Sequence, residues 1–396
     1  MKKGILGVDK NIFFLGIVSF LTDISSEMIF SVFSIFFTVI LGASTVLFGL
    51  VEGFADFSSS SLDYLSGYIS DKTGKRKIFA WIGYSFSTLS KVLLLISSSV
   101  VFASLFRVVE RLGKSFRGPP RDAWIATLAE TGNKGYAFGL HKALDKAGAV
   151  LGPLGAYFLL KYLGQNMPAF KTMFIIALVP ALLAVIMIVF IKDARSTPKM
   201  KENIFVSYKT LGKDFKHYLY SAGIFSLAYF SFGFLMLKAY IIGFTITDIV
   251  LLYALFNVSF VVFSIPIGKI GDKIGRFKII CTEYVLYFIM SLGFIFASAK
   301  WEIIVLFLIF GVFYAIDEGQ SKAYITDMET EKKGTAIGAY NFFTGLVYLP
   351  ASLIAGALWN INPSYAFVFA AVISVAALLF FTLAKRKNST AKNIAT

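Results

Sequence analysis

The sequence GYISDKTGKRK at residues 67–77 returns as GKIGDKIGRFK at residues 268–278, 201 residues further along the chain. Two shorter pairs repeat at nearly the same distance: AWI at 123–125 with AYI at 323–325, and KG at 134–135 with KG at 333–334. Self-similarity at one fixed distance is the signature of internal repetition. The chain is therefore predicted to consist of two duplicated halves.

Around these stretches, apolar residues form segments long enough to cross a membrane. Of the 396 residues, 57% are hydrophobic and 15% are charged, whereas soluble domains carry about 25% charged residues. Since a membrane-crossing helix needs about 20 apolar residues, we identify twelve spans: 12–40, 46–70, 78–98, 100–128, 136–160, 169–191, 218–243, 247–268, 279–299, 302–326, 335–358 and 364–384. This composition predicts an all-α membrane protein and excludes a disordered tail, a secreted disulfide scaffold and a DNA-binding module.

The basic residues are distributed unevenly among the loops. Of the 38 Lys and Arg residues, 25 lie in segments that share one side of the membrane, and three lie in the loops of the other side, namely Lys161, Lys171 and Lys300. Because cytoplasmic loops are enriched in Lys and Arg, we expect both termini in the cytoplasm and a location in the plasma membrane (the cell inner membrane). The net charge of +15 is then explained by the orientation of the chain in the membrane. No nucleic-acid partner is expected.

The repeat and the spans together predict four regions. Residues 1–191 are expected to form an N-terminal six-helix bundle and residues 217–384 a C-terminal one. The polar segment 192–216 is the predicted cytoplasmic linker, and 385–396 is a cytoplasmic tail. Two such halves are a known plan of secondary transporters.

Several motifs resemble those of the major facilitator superfamily. The loop at 67–77 and its copy at 268–278 are similar to the family's cytoplasmic loop motif. Arg107, Gly113 and Pro119 resemble the family's helix 4 motif, and Gly148-x-x-x-Gly152-Pro153 resembles the helix 5 motif of drug–proton antiporters. The stretches TDISSEM at 22–28 and RGPPRD at 117–122 resemble those of a prokaryotic twelve-helix subgroup. The resemblance covers essentially the whole chain. It implies twelve transmembrane helices in two pseudo-symmetric six-helix halves.

The repeated loops imply a gate at the inner ends of the spans. Asp71 and Asp272 can pair with Arg76 and Arg276 and accept hydrogen bonds from helix N-termini, and Gly67 and Gly268 are expected to permit close helix contact. The family's acidic residue at the end of helix 4 is replaced by Thr127, with Glu130 as its candidate substitute. The inner-gate motif is predicted to comprise Gly67, Asp71, Gly74, Arg76, Gly268, Asp272, Gly275, Arg276 and Asp327.

Ten Lys and Arg residues fall inside the spans, where topology does not explain them. An ion at bilayer depth costs several kcal/mol unless it is paired or hydrated, so these side chains require a water-filled cavity or buried partners. For Arg117 and Arg121, cytoplasmic water is the alternative. Because the resemblance implies that helices 1, 4, 7 and 10 line a cavity, the substrate-cavity candidates are Arg107, Arg111, Lys114, Lys238 and Lys322.

Carboxylates inside the spans indicate proton coupling. Asp23 and Glu27 lie four residues apart on span 1 and share a helix face. A carboxyl group that moves between apolar surroundings and a basic neighbour changes its affinity for a proton. The proton-coupling candidates are Asp23, Glu27, Glu110 and Glu318.

Span 5 carries small residues at helical spacing. Gly148, Gly152 and Pro153 are predicted to form a helix-packing motif. His141 lies on the same face, near the cytoplasmic end, where a structural role is favoured over proton coupling. His141 and His217 are the only two histidines, too few for a histidine metal site. No metal or cofactor is expected.

The sequence thus predicts a secondary active transporter that moves a small organic solute by alternating access, coupled to protons. Positive charge in the cavity favours an anionic or zwitterionic solute, and the glycine motif slightly favours export. The alternatives are a multidrug/proton antiporter for hydrophobic cations and, with less support, a non-transporting membrane sensor. Without a P-loop or Gly-x-Ser-x-Gly elbow, no enzyme is predicted. The expected partners are the solute, protons and the lipid bilayer, and the chain is expected to act as a monomer.

Overall fold

The computed structural model describes residues 5–96, 99–130, 133–193, 211–329 and 333–394, without the side chains of residues 64, 333–335 and 384–394. In these ranges it contains thirteen α-helices: α1 (Lys10–Ile35), α2 (Thr45–Thr73), α3 (Arg76–Ile96), α4 (Val100–Leu128), α5 (Lys134–Leu163), α6 (Met167–Phe190), α7 (Lys213–Ala228), α8 (Gly233–Ile241), α9 (Ile246–Ile274), α10 (Arg276–Phe296), α11 (Lys300–Met328), α12 (Lys333–Ile361) and α13 (Pro363–Ile394). A π-helical turn, Phe36–Ile40, extends α1.

These helices match the twelve predicted spans. Helices α1–α6 correspond to spans 1–6, α7 and α8 together to span 7, and α9–α13 to spans 8–12. Within the described ranges, nine spans are long and apolar enough to cross a membrane, judged by length and composition. The other three are α2, α4 and α11, whose intramembrane charges lower their hydropathy. The predicted all-α membrane fold is confirmed.

Span 7 is interrupted, which the sequence analysis did not foresee. Helix α7 ends at Ala228 and α8 begins at Gly233. The intervening Ser231 accepts a hydrogen bond from the Gly233 amide at 3.2 Å and donates one to Glu52 Oε2 at 2.9 Å. Because residues 229–232 leave the helical hydrogen-bond ladder, these side-chain contacts satisfy polar groups at the break.

The chain divides into two compact units. Unit 1 comprises Met1–Ala43, Phe54–Lys201 and Phe244–Ala254, and unit 2 comprises Ser44–Gly53, Glu202–Gly243 and Leu255–Thr396. The first turns of α2 therefore belong to unit 2, and the first turns of α9 belong to unit 1. Most of the predicted linker, residues 194–210, and the last two residues of the predicted tail lie outside the described residues.

Unit 1 is held together by close backbone contacts between helix pairs. A Cβ atom on Gly152 of α5 would lie 2.6 Å from the carbonyl oxygen of Ile24 in α1. Between α3 and α4, a Cβ atom on Gly83 would lie 2.6 Å from the carbonyl oxygen of Gly113. Only residues without a side chain allow such an approach, so glycine positions bring α1 to α5 and α3 to α4.

Unit 2 is packed mainly by aromatic rings. Phe225 of α7 stacks on Tyr284 of α10 with 4.3 Å between ring centroids. Tyr287 lies 4.8 Å from Phe313 of α11, and Tyr218 stacks on Tyr340 of α12 at 5.9 Å. Ring pairs at these separations each add about 0.5–1.5 kcal/mol beyond the burial of their area.

Candidate functional site

Helix α4 brings a buried arginine against an aromatic ring of α1. Arg107 is 5% exposed, and its guanidinium carbon lies 4.6 Å from the centroid of the Phe30 ring. Its Nη1 atom is 3.9 Å from Glu110 Oε2, one helical turn further along. The ring and the carboxylate stabilise a cation that would otherwise be costly at this depth.

Two further cations lie beside Glu110. Lys91 of α3 is fully buried and donates to Ser87 O at 3.0 Å and Ser26 Oγ at 3.3 Å. Arg117, 3% exposed, donates to Ser87 Oγ. Its guanidinium therefore does not reach cytoplasmic water, which was the alternative considered from the sequence.

We call Lys91, Arg107, Glu110, Arg111 and Arg117 the α4 cation cluster. Glu110 interacts electrostatically with Arg117, Lys91 and Arg111. Arg111 is half-buried and forms an ion pair with Asp56 of α2 at 3.2 Å. Among the described buried Lys, Arg, Asp and Glu side chains of unit 1, Glu110 is the one carboxylate. The cluster itself therefore contains four cations and one carboxylate, while Asp56 lies beside Arg111 and Asp23 interacts with Lys91 from outside the cluster.

The two carboxylates of α1 lie where α5 approaches most closely. Glu27 Oε2 accepts a hydrogen bond from the Tyr253 hydroxyl. Asp23 interacts electrostatically with Asp145, Glu27, Lys114 and Lys146. A Cβ atom on Gly148 would lie 3.0 Å from Asp23 Cβ, and one on Gly152 would lie 3.2 Å from Glu27 Cβ. The α5 glycines thus line the turns that carry both acids.

A polar network surrounds Ser19 in unit 1. Its Oγ atom lies 2.9 Å from His141 Nε2 and 3.0 Å from the Tyr84 hydroxyl. Arg121 donates to the same atom at 3.2 Å and lies 4.0 Å from Asp145. His141 is buried and lies within hydrogen-bond distance of Ser19, and its structural role stays a prediction.

The repeated loops both contain an aspartate–arginine ion pair, with different surroundings. In unit 1, Arg76 Nη1 lies 2.5 Å from Asp71, and both side chains are largely buried. In unit 2, Arg276 contacts Asp272, lies 3.5 Å from Asp327 and donates to Gln320 at 2.5 Å.

The position equivalent to Asp327 in unit 1 is Thr127, whose hydroxyl donates to Ala123 O at 2.8 Å. Glu130, the candidate substitute, is exposed. The third member of the ion network is thus present in the unit 2 loop and replaced by a local hydrogen bond in unit 1.

Some glycines of the loop motifs allow a positive φ angle, and others allow a neighbouring residue to approach closely. Gly74 and Gly275 adopt φ values of +68° and +92°, which favour glycine. A Cβ atom on Gly67 would lie 3.2 Å from Pro119 Cβ, whereas one on Gly268 would meet no described atom within 4 Å. The expectation of a close contact at Gly268 is wrong. Gly271, one turn along, is the crowded position, against Gln320.

The remaining candidates lie in unit 2. Lys238 of α8 is 7% exposed, and Lys322 of α11 is exposed. Glu318 is half-buried. Both Glu318 and Lys322 interact electrostatically with Asp317. Lys114 of unit 1 is likewise exposed, so the predicted cavity cations differ widely in burial.

A sequence profile described as Major Facilitator Superfamily matches residues 15–346 and 218–395. The chain belongs to the major facilitator superfamily. It is 39% identical over 376 residues to an uncharacterised MFS-type transporter of Methanocaldococcus jannaschii, covering 93% of each chain. It is 24% identical over 363 residues to Multidrug resistance protein 2 of Bacillus subtilis, covering 86% of this chain and 87% of that one.

The fold of this superfamily member also matches solved structures. The nucleoside transporter NupG, as a D323A mutant, superposes with a TM-score of 0.77 at 12% identity, covering 94% of this chain and 99% of that chain. At this identity the likeness concerns the fold alone. The predicted superfamily is confirmed, and the chain is a multi-pass membrane transporter.

Sequence reasoning missed several polar residues of the transporter. Glu283 is 1% exposed on α10, and no motif marks it. Tyr253 on α9 was not linked to Glu27, and Glu52 was not linked to Ser231. A lone Glu in an otherwise apolar span is the one signal that could have identified Glu283, because such residues are rare in membrane helices.

Proposed function

We propose that this transporter is a proton-coupled secondary carrier of a small organic anion or zwitterion that works by alternating access. The observation that carries the proposal is the α4 cation cluster. Lys91, Arg107 and Arg117 are buried around Glu110, the one carboxylate of the cluster. Buried charge without an equal number of counter-charges is costly, and an anionic ligand group offsets that cost.

Arg107 is the proposed ligand-binding cation. A guanidinium presents five N–H donors in a fixed fork that matches a carboxylate or phosphate. Phe30 holds this fork from one side by its ring face. Arg111 and Lys114 continue the positive field along α4, and Lys238 and Lys322 are proposed to add positive charge in unit 2.

The α1 carboxylates are proposed to carry the coupled proton. Asp23 has both acidic and basic neighbours, namely Asp145, Glu27, Lys114 and Lys146. A change in these neighbours during the cycle changes the affinity of a carboxylate for its proton. Glu110 and Glu318 are the further candidates. The inner-gate motifs are proposed to release and reform the ion pairs Asp71–Arg76 and Asp272–Arg276.

We further propose that both termini are cytoplasmic in the plasma membrane, that the chain acts as a monomer, and that export is the direction of transport. The cytoplasmic location of the termini rests on the uneven distribution of Lys and Arg among the loops. Direction rests on the Gly148 and Gly152 contacts with α1, the motif that resembles drug–proton antiporters.

Transport by purified protein in liposomes under an imposed proton gradient tests the proposal. We expect citrate, succinate or glutamate, representing anions and zwitterions, to move in the wild type and to stop moving when a protonophore is added. Arg107→Ala should abolish movement, while Lys161→Ala, which removes an exposed cation of α5, should leave it unchanged. Transport that ignores the protonophore, or survives Arg107→Ala, contradicts the proposal.

A multidrug/proton antiporter is the second candidate. It is favoured by the similarity to Multidrug resistance protein 2 and by the half-buried carboxylate of Glu27. In that case ethidium moves instead of the organic anions, Glu27→Gln abolishes the movement and Arg107→Ala does not.

A further inference from the structure

Unit 2 contains a buried carboxylate that the proposed function does not use. Glu283 of α10 is 1% exposed. Its Oε2 atom has no hydrogen-bond partner within the described residues. An ionised carboxylate in such a place costs several kcal/mol, and protonation removes the charge that causes this cost.

The charged group that faces Glu283 is another carboxylate. Asp317 of α11 is half-buried and interacts electrostatically with Glu283. Asp317 itself also faces Glu318 and Lys322 on its own helix. Two carboxylates that share a buried site do not both ionise readily, because like charges repel.

The other neighbours are tyrosines from three helices. Glu283 interacts with Tyr218 of α7, the adjacent Tyr284 of α10 and Tyr340 of α12. Asp317 also faces Tyr284 and Tyr340, as well as two further phenols, Tyr229 and Tyr287. Phenol groups both donate and accept hydrogen bonds, so they can pass a proton without adding charge.

We call Tyr218, Glu283, Tyr284, Asp317 and Tyr340 the tyrosine–carboxylate cluster. Tyr218 and Tyr284 are each 2% exposed, and Tyr218 stacks on Tyr340 at 5.9 Å. These rings pack closely on one another in the neighbourhood of Glu283. A proton, which needs no volume of its own, is therefore the ligand that suits this packing.

We propose that Glu283 and Asp317 bind one proton between them, in a site of unit 2 separate from the α1 carboxylates of unit 1. The bond formed is an O–H bond on one carboxyl group. When that bond breaks, the proton leaves to water, either directly or through a neighbouring phenol that releases its own O–H proton as it accepts this one. Proton binding stands independently of the transported solute. Only its use in transport rests on the proposed function.

Infrared spectroscopy of the purified full-length protein in lipid nanodiscs tests the site without any solute. We expect a carbonyl stretching band of a protonated carboxylic acid at neutral pH, and its loss in alkaline buffer. Glu283→Gln removes one component of this band, which is identified in the difference spectrum against the wild type. Asp317→Asn retains a band at a changed frequency, because the acid has lost its carboxylate neighbour. Asp214→Asn, which alters an exposed carboxylate of the same unit, leaves the band unchanged.

Three results would overturn the proposal: no such band in the wild type at neutral pH, a band that Glu283→Gln leaves unchanged, or a band that sodium chloride abolishes but potassium chloride does not. The last would identify a metal-ion site instead. Glu283→Asp, which restores an acid, should restore a band if Glu283→Gln merely impairs folding. A band present in protein that shows no proton-driven transport would leave the site standing and contradict the proposed function alone.

Discussion

The α4 cation cluster of unit 1 and the tyrosine–carboxylate cluster of unit 2 are both buried sets of ionisable side chains, but they differ in sign and in packing. In unit 1, Lys91, Arg107 and Arg117 surround one carboxylate. In unit 2, Glu283 faces a second acid amid neutral phenols. The two halves keep a common arrangement of helices and loop motifs while their interiors have diverged. A duplicated fold can thus hold a mainly cationic cluster in one copy and a mainly acidic one in the other.

The largest expected effect comes from removing a carboxylate from each cluster, which tests whether the net charge of the cluster is positive or negative. Glu110→Gln leaves three buried cations without their carboxylate and should lower the free energy of unfolding by about 3–5 kcal/mol. Glu283→Gln should change it by less than about 1 kcal/mol, because the amide carries no charge and so resembles the protonated acid that it replaces. Chemical denaturation in detergent measures both. Equal losses in the two variants would remove the distinction between the clusters.

Ligand binding provides the next test. An organic anion at a hundred times its Kd should stabilise the wild type by about 2.7 kcal/mol. The same stabilisation should persist in Glu283→Gln and disappear in Arg107→Ala. Thermal unfolding with and without the anion measures it. If Glu283→Gln abolished the stabilisation, the anion-binding role could not be confined to the α4 cation cluster.

The comparison extends to what holds the helices together. Gly152→Ala places a methyl group 2.6 Å from the Ile24 carbonyl oxygen, and we expect a loss of stability of about 1–3 kcal/mol. Gly139→Ala is the matched control on the same helix, because a Cβ atom there meets nothing within 4 Å in the described structure. It should stabilise the protein by up to about 1 kcal/mol. A harmless Gly152→Ala would show that α1 and α5 can separate without cost.

The smallest effect concerns the inner loops. Asp327 lies 3.5 Å from Arg276 with 60% of its side chain exposed, so Asp327→Asn should cost at most about 1 kcal/mol. Thr127→Asp adds the corresponding acid to unit 1 and should have a similarly small effect, because Arg76 is already paired with Asp71. Denaturation at low and high salt should show the Asp327 contribution shrinking with added salt. A larger, salt-independent loss would indicate a buried gate network.

Sequence alone predicts the helical plan well, because the length of an apolar run and the repeat of a loop motif are local properties. The spans at 100–128 and 302–326 correspond to α4 and α11 within two residues. The break in span 7 escapes prediction, since residues 229–232 are mostly aromatic and continue the apolar run.

Residue roles that depend on neighbours are harder to predict. Helical spacing placed Arg107 beside Glu110, but burial of Arg117 depends on Ser87 of another helix. Glu283 carries no motif, and its importance follows only from Asp317 and Tyr340, which are distant in sequence. Gly268 matched a motif, yet the crowding occurs at Gly271, because helix rotation and not motif register decides which glycine faces a neighbour.

The interruption between α7 and α8 bears on how the chain is assembled during synthesis. Helix α8 has nine residues, fewer than half of the about 20 that cross hydrocarbon. Together with α7 it forms a span long enough to cross the membrane, but the break at residues 229–232 leaves backbone polar groups that need partners inside the bilayer. Glu52, which receives the Ser231 hydroxyl, lies 179 residues earlier in the chain and leaves the ribosome first. We expect the start of α2 to be in the membrane before span 7 is made, so that Glu52 is available to bind Ser231 when span 7 inserts.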